Sequence, residues 1–377
     1  MLIGSNNSCY PMAIIGAGCA GLSLAYKLIN SQYYPIVLID PQNDRKDHIW
    51  GFWDDGNEDF KTARSLEYKR WSKWAIKTEN KTITLKGNKF QYSALSSLKF
   101  ESHLRDSIQK NNGKFLTTSV LNSIKKNNKT ILKLKDEDDI QVERVFDSRS
   151  PLISNGAFYQ HFLGWNIKSK HPIFDDKTVI LMDFRVSQDN GIHFIYLLPF
   201  STKEALIEST VYSNNILPTK WYENAILKYI KKYYPGIELD IISKEKGAIP
   251  LTNTYKSKPL GVPIGLNANS RRISSGYAFA QIQTQISLLS KSLELSNYNI
   301  QSGASHFEQW MDKIFINVLI KHPDRASKIF LNIFENLNGD EFANFMNGYC
   351  SIKIKAKVMG SLPKNIFIKS ALYGFVK

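Results

Sequence analysis

Cysteine is scarce and scattered in this chain. Cys9, Cys19 and Cys350 are the only three in 377 residues. They form no CxxC pair, which excludes a disulfide-stapled fold and fits a reducing compartment. The seven histidines stand far apart, with no HExxH or similar ligand pair, so no metal site is expected. No apolar run approaches the ~18 residues of a membrane span, so any membrane contact is expected to be peripheral. The opening MLIGSNNSCYPM has no positive stretch ahead of an apolar core, and a secretory signal is not expected. A dense basic block is also missing. Formal net charge is +15, but the lysines are spread in pairs such as Lys125-Lys126 and Lys231-Lys232. With no RNA- or DNA-binding motif present, nucleic acid is not expected as a partner. An anionic membrane surface or an anionic cofactor suits the charge better. Internal repeats and low-complexity linkers are absent.

What remains is an ordinary globular balance of 43% hydrophobic and 22% charged residues, long enough for two core-forming units or one intertwined enzyme. Its clearest passage is the start. An apolar strand, Met12 to Ile15, runs into Gly16-Ala17-Gly18-Cys19-Ala20-Gly21, and a helical pattern follows through Leu22, Leu24, Ala25 and Leu28. A second apolar strand, 35–39, ends at Asp40. This is a βαβ dinucleotide fingerprint in its required context. Gly16 permits the tight turn, Gly18 the close approach of a pyrophosphate, and Gly21 the packing of helix on strand. The helix N-terminus offers free N–H groups to phosphates, and Asp40 can accept from a ribose. The fingerprint lies at the N-terminus, a long insertion follows the second strand, and a return segment appears at 262–290. That order favours FAD over NAD. Flavin hydroxylases usually carry Gly-Asp in the return segment; here Gly265 is followed by Leu266 and Asn267, which counts against an aromatic-ring hydroxylase.

Helical periodicity is predicted over 93–110, 219–234 and 276–295, and through most of the last 75 residues. There Phe307, Trp310, Met311, Ile314, Phe315, Val318 and Leu319 recur at three- and four-residue spacing. "VILMDFRV", "IHFIYLLPF" and "ALIESTVY" read as successive antiparallel strands. The last holds one acid, Glu208, sharing a face with Leu206, Thr210 and Tyr212. Taken alone, a strand glutamate is more often a solvated edge residue. On an apolar face, desolvation raises its pKa and keeps it a proton donor.

Several segments, in this order and spacing, resemble the lycopene cyclase family: "GAGCAGLSLA", "VFDSR", "QHFLGW", "LMDFR", "YLLPFS" with "ALIEST", "GAIPL", "SSGYAF" and "DKIFINVLIKHP". Two positions depart from the family's usual pattern. Ile273-Ser274-Ser275 replaces Pro-Ser/Thr-Thr, and Ser209 stands where a second acid often follows the central glutamate. The resemblance implies an α/β fold of flavin hydroxylase-like architecture. A Rossmann-type FAD-binding domain (10–150 and 262–300) would interleave with an antiparallel β-sheet substrate domain (151–261), followed by a C-terminal helical region (301–377). It implies that Glu208 is the catalytic acid or base. Gly16, Gly18, Gly21, Asp40, Gly265 and Gly276 would hold the cofactor. Trp50, Trp165, Tyr196 and Tyr277, with Phe52 and Trp53, are candidate aromatic walls for a carbocation. The implied chemistry is non-redox closure of the ends of lycopene, or a related acyclic carotene, to β-rings. It uses reduced FAD, with NAD(P)H as reductant. The implied place is the cytoplasmic face of a bacterial inner membrane, peripherally bound. Two other readings stay open: a FAD-dependent monooxygenase or isoprenoid-chain reductase acting on an apolar lipid, and a non-catalytic flavin- or lipid-binding protein.

Overall fold

The computed structural model describes residues 9–295 and 305–373, apart from 43, 253, 256, 257 and 349. The apolar runs at the start form the centre of a seven-stranded sheet. Cys9–Ile15 pairs in parallel with Ile36–Ile39 on one side and with Ile140–Asp147 on the other. Lys114–Leu116 extends one edge, the hairpin Val120–Lys126 and Lys129–Leu134 the other. Every residue of Ile36–Ile39 is buried, as a strand covered on both faces requires. Between the first two strands, Cys19–Lys27 forms the expected helix. It packs on Phe279–Glu294, the helix predicted over 276–295. The return segment also adds Val262–Pro263 to Ile140–Asp147 in parallel. Residues 296–300 of the expected 262–300 segment lie outside the described residues.

The second seven-stranded sheet carries the meander. Leu239–Pro250, Tyr159–Ser169, Glu204–Ser213, Ile192–Pro199 and Thr178–Asp183 lie side by side as antiparallel neighbours. The sheet corrects the division drawn at residue 151. Lys73–Lys77 and Thr82–Lys86 come from the first segment but continue this sheet, pairing with Thr178–Asp183 in parallel and with each other. The reason is burial: Trp74, Ala75 and Ile76 are at most 1% exposed, and only an interior sheet position covers both faces of such a strand. The helix predicted from 93 begins later. Gln91–Ser96 is a strand between Ile49–Asp54 and Lys69–Trp71. Ser96 then caps the helix Ser97–Lys110 by accepting the Lys99 N–H.

Among the described residues the C-terminal region is helical, as its periodicity indicated: His306–Lys321, Ala326–Asn336, Gly339–Asn347, Ile352–Ser361 and Lys364–Tyr373. Their buried side chains, among them Val318, Ile329 and Phe334, join Trp74 and Leu206 in one core. The opposite face of the second sheet is covered by Thr219–Tyr233, through Tyr222, Ile226 and Tyr229. No described helix is long and apolar enough to cross a membrane.

Candidate active site

The glycine turn is held from beneath. Gly16 has a φ of +96°, and an added Cβ there meets Ser148 Oγ at 2.5 Å. That hydroxyl donates to the carbonyls of Ile15 and Gly16 at 3.0 and 2.9 Å. The neighbouring Asp147 is fully buried and accepts from the Arg149 guanidinium and the Leu260 N–H. The "DSR" triplet thus ties the first sheet's turn to the returning chain. Gly21 packs so closely that an added Cβ lies 2.1 Å from the Gly16 carbonyl. Gly18 differs: the sole atom within 4 Å of an added Cβ is Arg45 Nη1, at 3.5 Å.

A helix start with no acid in its first turn, open at Gly18 and flanked by two arginines, fits a pyrophosphate. Arg45 pairs with Asp40 at 2.7 Å, and Arg105 donates to the Ala17 carbonyl at 3.4 Å. Asp40 also accepts the N–H groups of Ala17 at 2.6 Å and Gln42 at 2.8 Å. Its Oδ1 keeps capacity for one further donor, such as a ribose hydroxyl. From the return segment, Gly265 at φ +62° comes so near the glycine helix that an added Cβ meets Ala20 Cβ at 2.6 Å. Gly276, at φ +71°, turns the chain before Phe279–Glu294. These cradles fit FAD. Arg45 and Arg105 escaped the sequence reading, because nothing in their spacing marks them as neighbours of the turn.

From Cys19, Leu266 and Phe279 a cavity of about 1070 Å³ extends across the second sheet to the helix Lys364–Tyr373. Glu208 faces into it at 8% exposure. In the sheet it stands between Gly164 and Tyr196. Its Oε1 accepts from Thr210 Oγ1. Burial pushes the Glu208 carboxyl up to about 8, the negative charge of Glu245 adds to this, and the Thr210 bond works against it. At neutral pH the group is therefore mainly a neutral acid. Beside it three phenols converge. Tyr92 Oη lies 2.6 Å from Tyr196 Oη and 2.9 Å from Tyr277 Oη. Burial raises all three phenols well above their usual value. The arrangement can donate one proton into an apolar space walled by aromatic rings.

Most of the candidate aromatics gather in one place. Trp50, Trp53, Tyr196 and Tyr277 line the cavity. Phe52 shares the strand face of Trp50 but does not reach the cavity; it is buried against Phe60 and Phe279. Trp165 is a correction. It pairs with Ile207, not Glu208, so its ring lies on the opposite face of the sheet in the core beneath Thr219–Tyr233. Lys244 Nζ sits 5.1 Å above it. Ser209 also faces that side and hydrogen-bonds His193 Nε2 at 2.9 Å. Tyr92 and Glu245 went unseen in the sequence. Glu245 precedes Gly247 and Ile249 at alternate positions of one strand, and that period was its available signal.

Comparison with known proteins places this geometry. A family model described as lycopene cyclase protein matches residues 12–371. A lycopene beta-cyclase of Pantoea ananas is 25% identical, over 94% of this chain and 95% of that protein. One of Pseudescherichia vulneris is 26% identical, over 71% of this chain and 70% of that protein. Among solved structures, a flavoprotein/dehydrogenase from Cytophaga hutchinsonii superposes with a TM-score of 0.65. It is 12% identical and covers 97% of this chain and 100% of that one, a likeness of flavoprotein fold alone. With a family match spanning nearly its whole length, this chain belongs to the lycopene cyclase family.

Proposed function

We propose that this chain is a lycopene beta-cyclase, closing the linear ends of lycopene to β-rings without net oxidation or reduction. The observation that carries the reading is Glu208, a buried carboxyl held as an acid on the wall of an apolar cavity that begins at the glycine turn. Glu208 gives its proton to the terminal alkene, leaving a tertiary carbocation. The faces of Trp53, Tyr92, Tyr196 and Tyr277 stabilise that cation and exclude water. The neighbouring alkene attacks it, a C–C bond closes the ring, and a ring C–H proton returns to the Glu208 carboxylate. The proton count balances and no electrons are gained or lost. Gly16, Gly18, Gly21, Asp40 and Gly265 would hold FAD, which, once reduced by NAD(P)H, would supply negative charge to a site where a cation forms.

An acyclic carotene resides in lipid, so we place the protein peripherally on the cytoplasmic face of the inner membrane. The far end of the cavity supports this. It is lined by Trp310, Ile368 and Leu372, which are 39%, 55% and 68% exposed, with Lys364 among them. The experiment is expression in a lycopene-accumulating bacterial host, followed by pigment analysis and NAD(P)H accounting. We expect β-ring carotenes with far less than one NAD(P)H oxidised per ring. Unchanged lycopene alongside flavin-loaded protein overturns the reading. One-to-one NAD(P)H consumption moves the protein to the monooxygenase or reductase class.

A further inference from the structure

Glu208 has a second carboxylate across the sheet. The central strand Tyr159–Ser169 sets Gly164 between Glu208 on one neighbouring strand and Glu245 on the other. A Cβ placed on Gly164 lies 3.5 Å from Glu208 Cβ, 3.3 Å from Glu245 Cγ and 3.0 Å from Leu206 Cδ1. Gly164 itself places no side chain between the two acid stems, Leu206 Cδ1 lies over the same spot, and both acids line the cavity. Glu208 is held by Thr210 of its own strand, whereas Glu245 is anchored to another part of the chain. Its Oε2 accepts the Ile49 N–H at 3.0 Å and lies 3.5 Å from His48 Nδ1. Exposure rises outward along this row: the Glu245 side chain is 8% exposed and His48 38%. Glu245 in turn raises the pKa of His48, and Asp47 and Glu101 add to the effect.

We propose that Glu245 is a positioning residue for the acid, a fixed carboxylate that keeps Glu208 protonated and makes its conjugate base a strong acceptor. The proposal rests on the reading of Glu208 as the proton donor of a cyclase. Two carboxylates in one poorly solvated site resist being ionised together. After Glu208 has protonated the alkene, both acids are charged, and recovery of the ring proton by Glu208 relieves that repulsion. The groups facing Glu208 are consistent with this role. Thr210 and Tyr212 come from its own strand, Tyr196 from the adjacent strand, and Tyr92 and Tyr277 from the opposite wall. None of these is a cation. Glu245 contacts the His48 imidazole, so the device runs from a histidine near the surface to the carboxyl at its buried end.

The test is an infrared titration of the buried carboxyl in full-length, FAD-loaded protein, with the band identified by its loss in Glu208→Gln. In Glu245→Gln we expect the midpoint to fall by about one unit or more, and the alkaline limb of cyclisation to move down with it. Glu245→Asp should keep most of the wild-type midpoint. An unmoved midpoint in folded, flavin-loaded Glu245→Gln overturns the proposal. If that variant does not load flavin, His48→Gln decides: removal of the imidazole that Glu245 holds towards its protonated form should raise the midpoint, and an unmoved or lowered value overturns the proposal. A Glu208→Gln enzyme that still cyclises refutes the donor reading instead, and the titration separates the two failures.

Discussion

In the proposed mechanism one side chain, Glu208, carries both the chemistry and a cost in stability. Its carboxyl titrates near 4.5 when unperturbed and at about 8 in the fold. Between those values the folded chain keeps a proton that the unfolded chain has lost. The wild type should therefore lose stability as pH rises from 4.5 towards 8, whereas Glu208→Gln, which cannot ionise, should not. We expect the variant to gain on the wild type in melting temperature across that window. An ion-pair role for Glu208 gives the opposite sign. In the same variant turnover should fall at least ~10²–10⁴-fold, the usual worth of a general acid or base, with flavin absorbance retained. Wild-type turnover should hold below pH 8 and decline above it as the acid form is lost. Gly18 makes a separate claim. Because its missing side chain opens the helix start, Gly18→Val should abolish flavin absorbance in purified, folded protein.

Among the elements, the strand Tyr159–Ser169 shows how one residue of register decides a role. Gly164 faces the acids, and Trp165, one step on, faces the helix Thr219–Tyr233. Trp165→Ala should cost about 3–5 kcal/mol as a large core truncation, visible in a denaturant melt. Turnover per flavin-loaded molecule should stay near wild type, because the cavity wall is untouched. A selective loss of turnover would return Trp165 to the substrate side. The helix His306–Lys321 divides in the same way. Its recurring apolar residues suggest one stripe, yet Val318 and Leu319 are core, Met311, Ile314 and Phe315 line the cavity, and Phe307 and Trp310 are exposed.

For the whole molecule, the proposed membrane contact draws on both the exposed end of the cavity and the net charge of +15. Phe307 and Trp310 stack with ring centroids 5.7 Å apart, close to the exposed Ile352 and Met359 helix through Lys355. Lysines near an anionic surface contribute ~1 kcal/mol each, and on this proposal the exposed aromatics would supply the apolar anchor. Phe307→Ser with Trp310→Ser should weaken sedimentation with anionic vesicles several-fold while leaving flavin content unchanged. High salt should weaken the wild type as well. Vesicle binding unaffected by both changes places the lipid contact elsewhere.

The glycine turn, the buried parallel strands and the lone strand acid were legible because each depends on local rules. A positive-φ glycine, an apolar run and a two-residue period are properties of adjacent residues. Glu208 needed only its own strand to show which side chains share its face. What the tertiary structure decided depends on strand neighbours far apart in sequence. Gly164 joins Glu208 to Glu245 through two separate pairings, and Tyr92 reaches Tyr196 across 104 positions. The strands 73–86 belong to the second sheet because hydrogen-bonding partners, not chain order, settle an edge. Arg45 and Arg105 reach the turn only once the first sheet has formed. Sequence periodicity fixes which face a residue takes; only the packed sheets determine what that face meets.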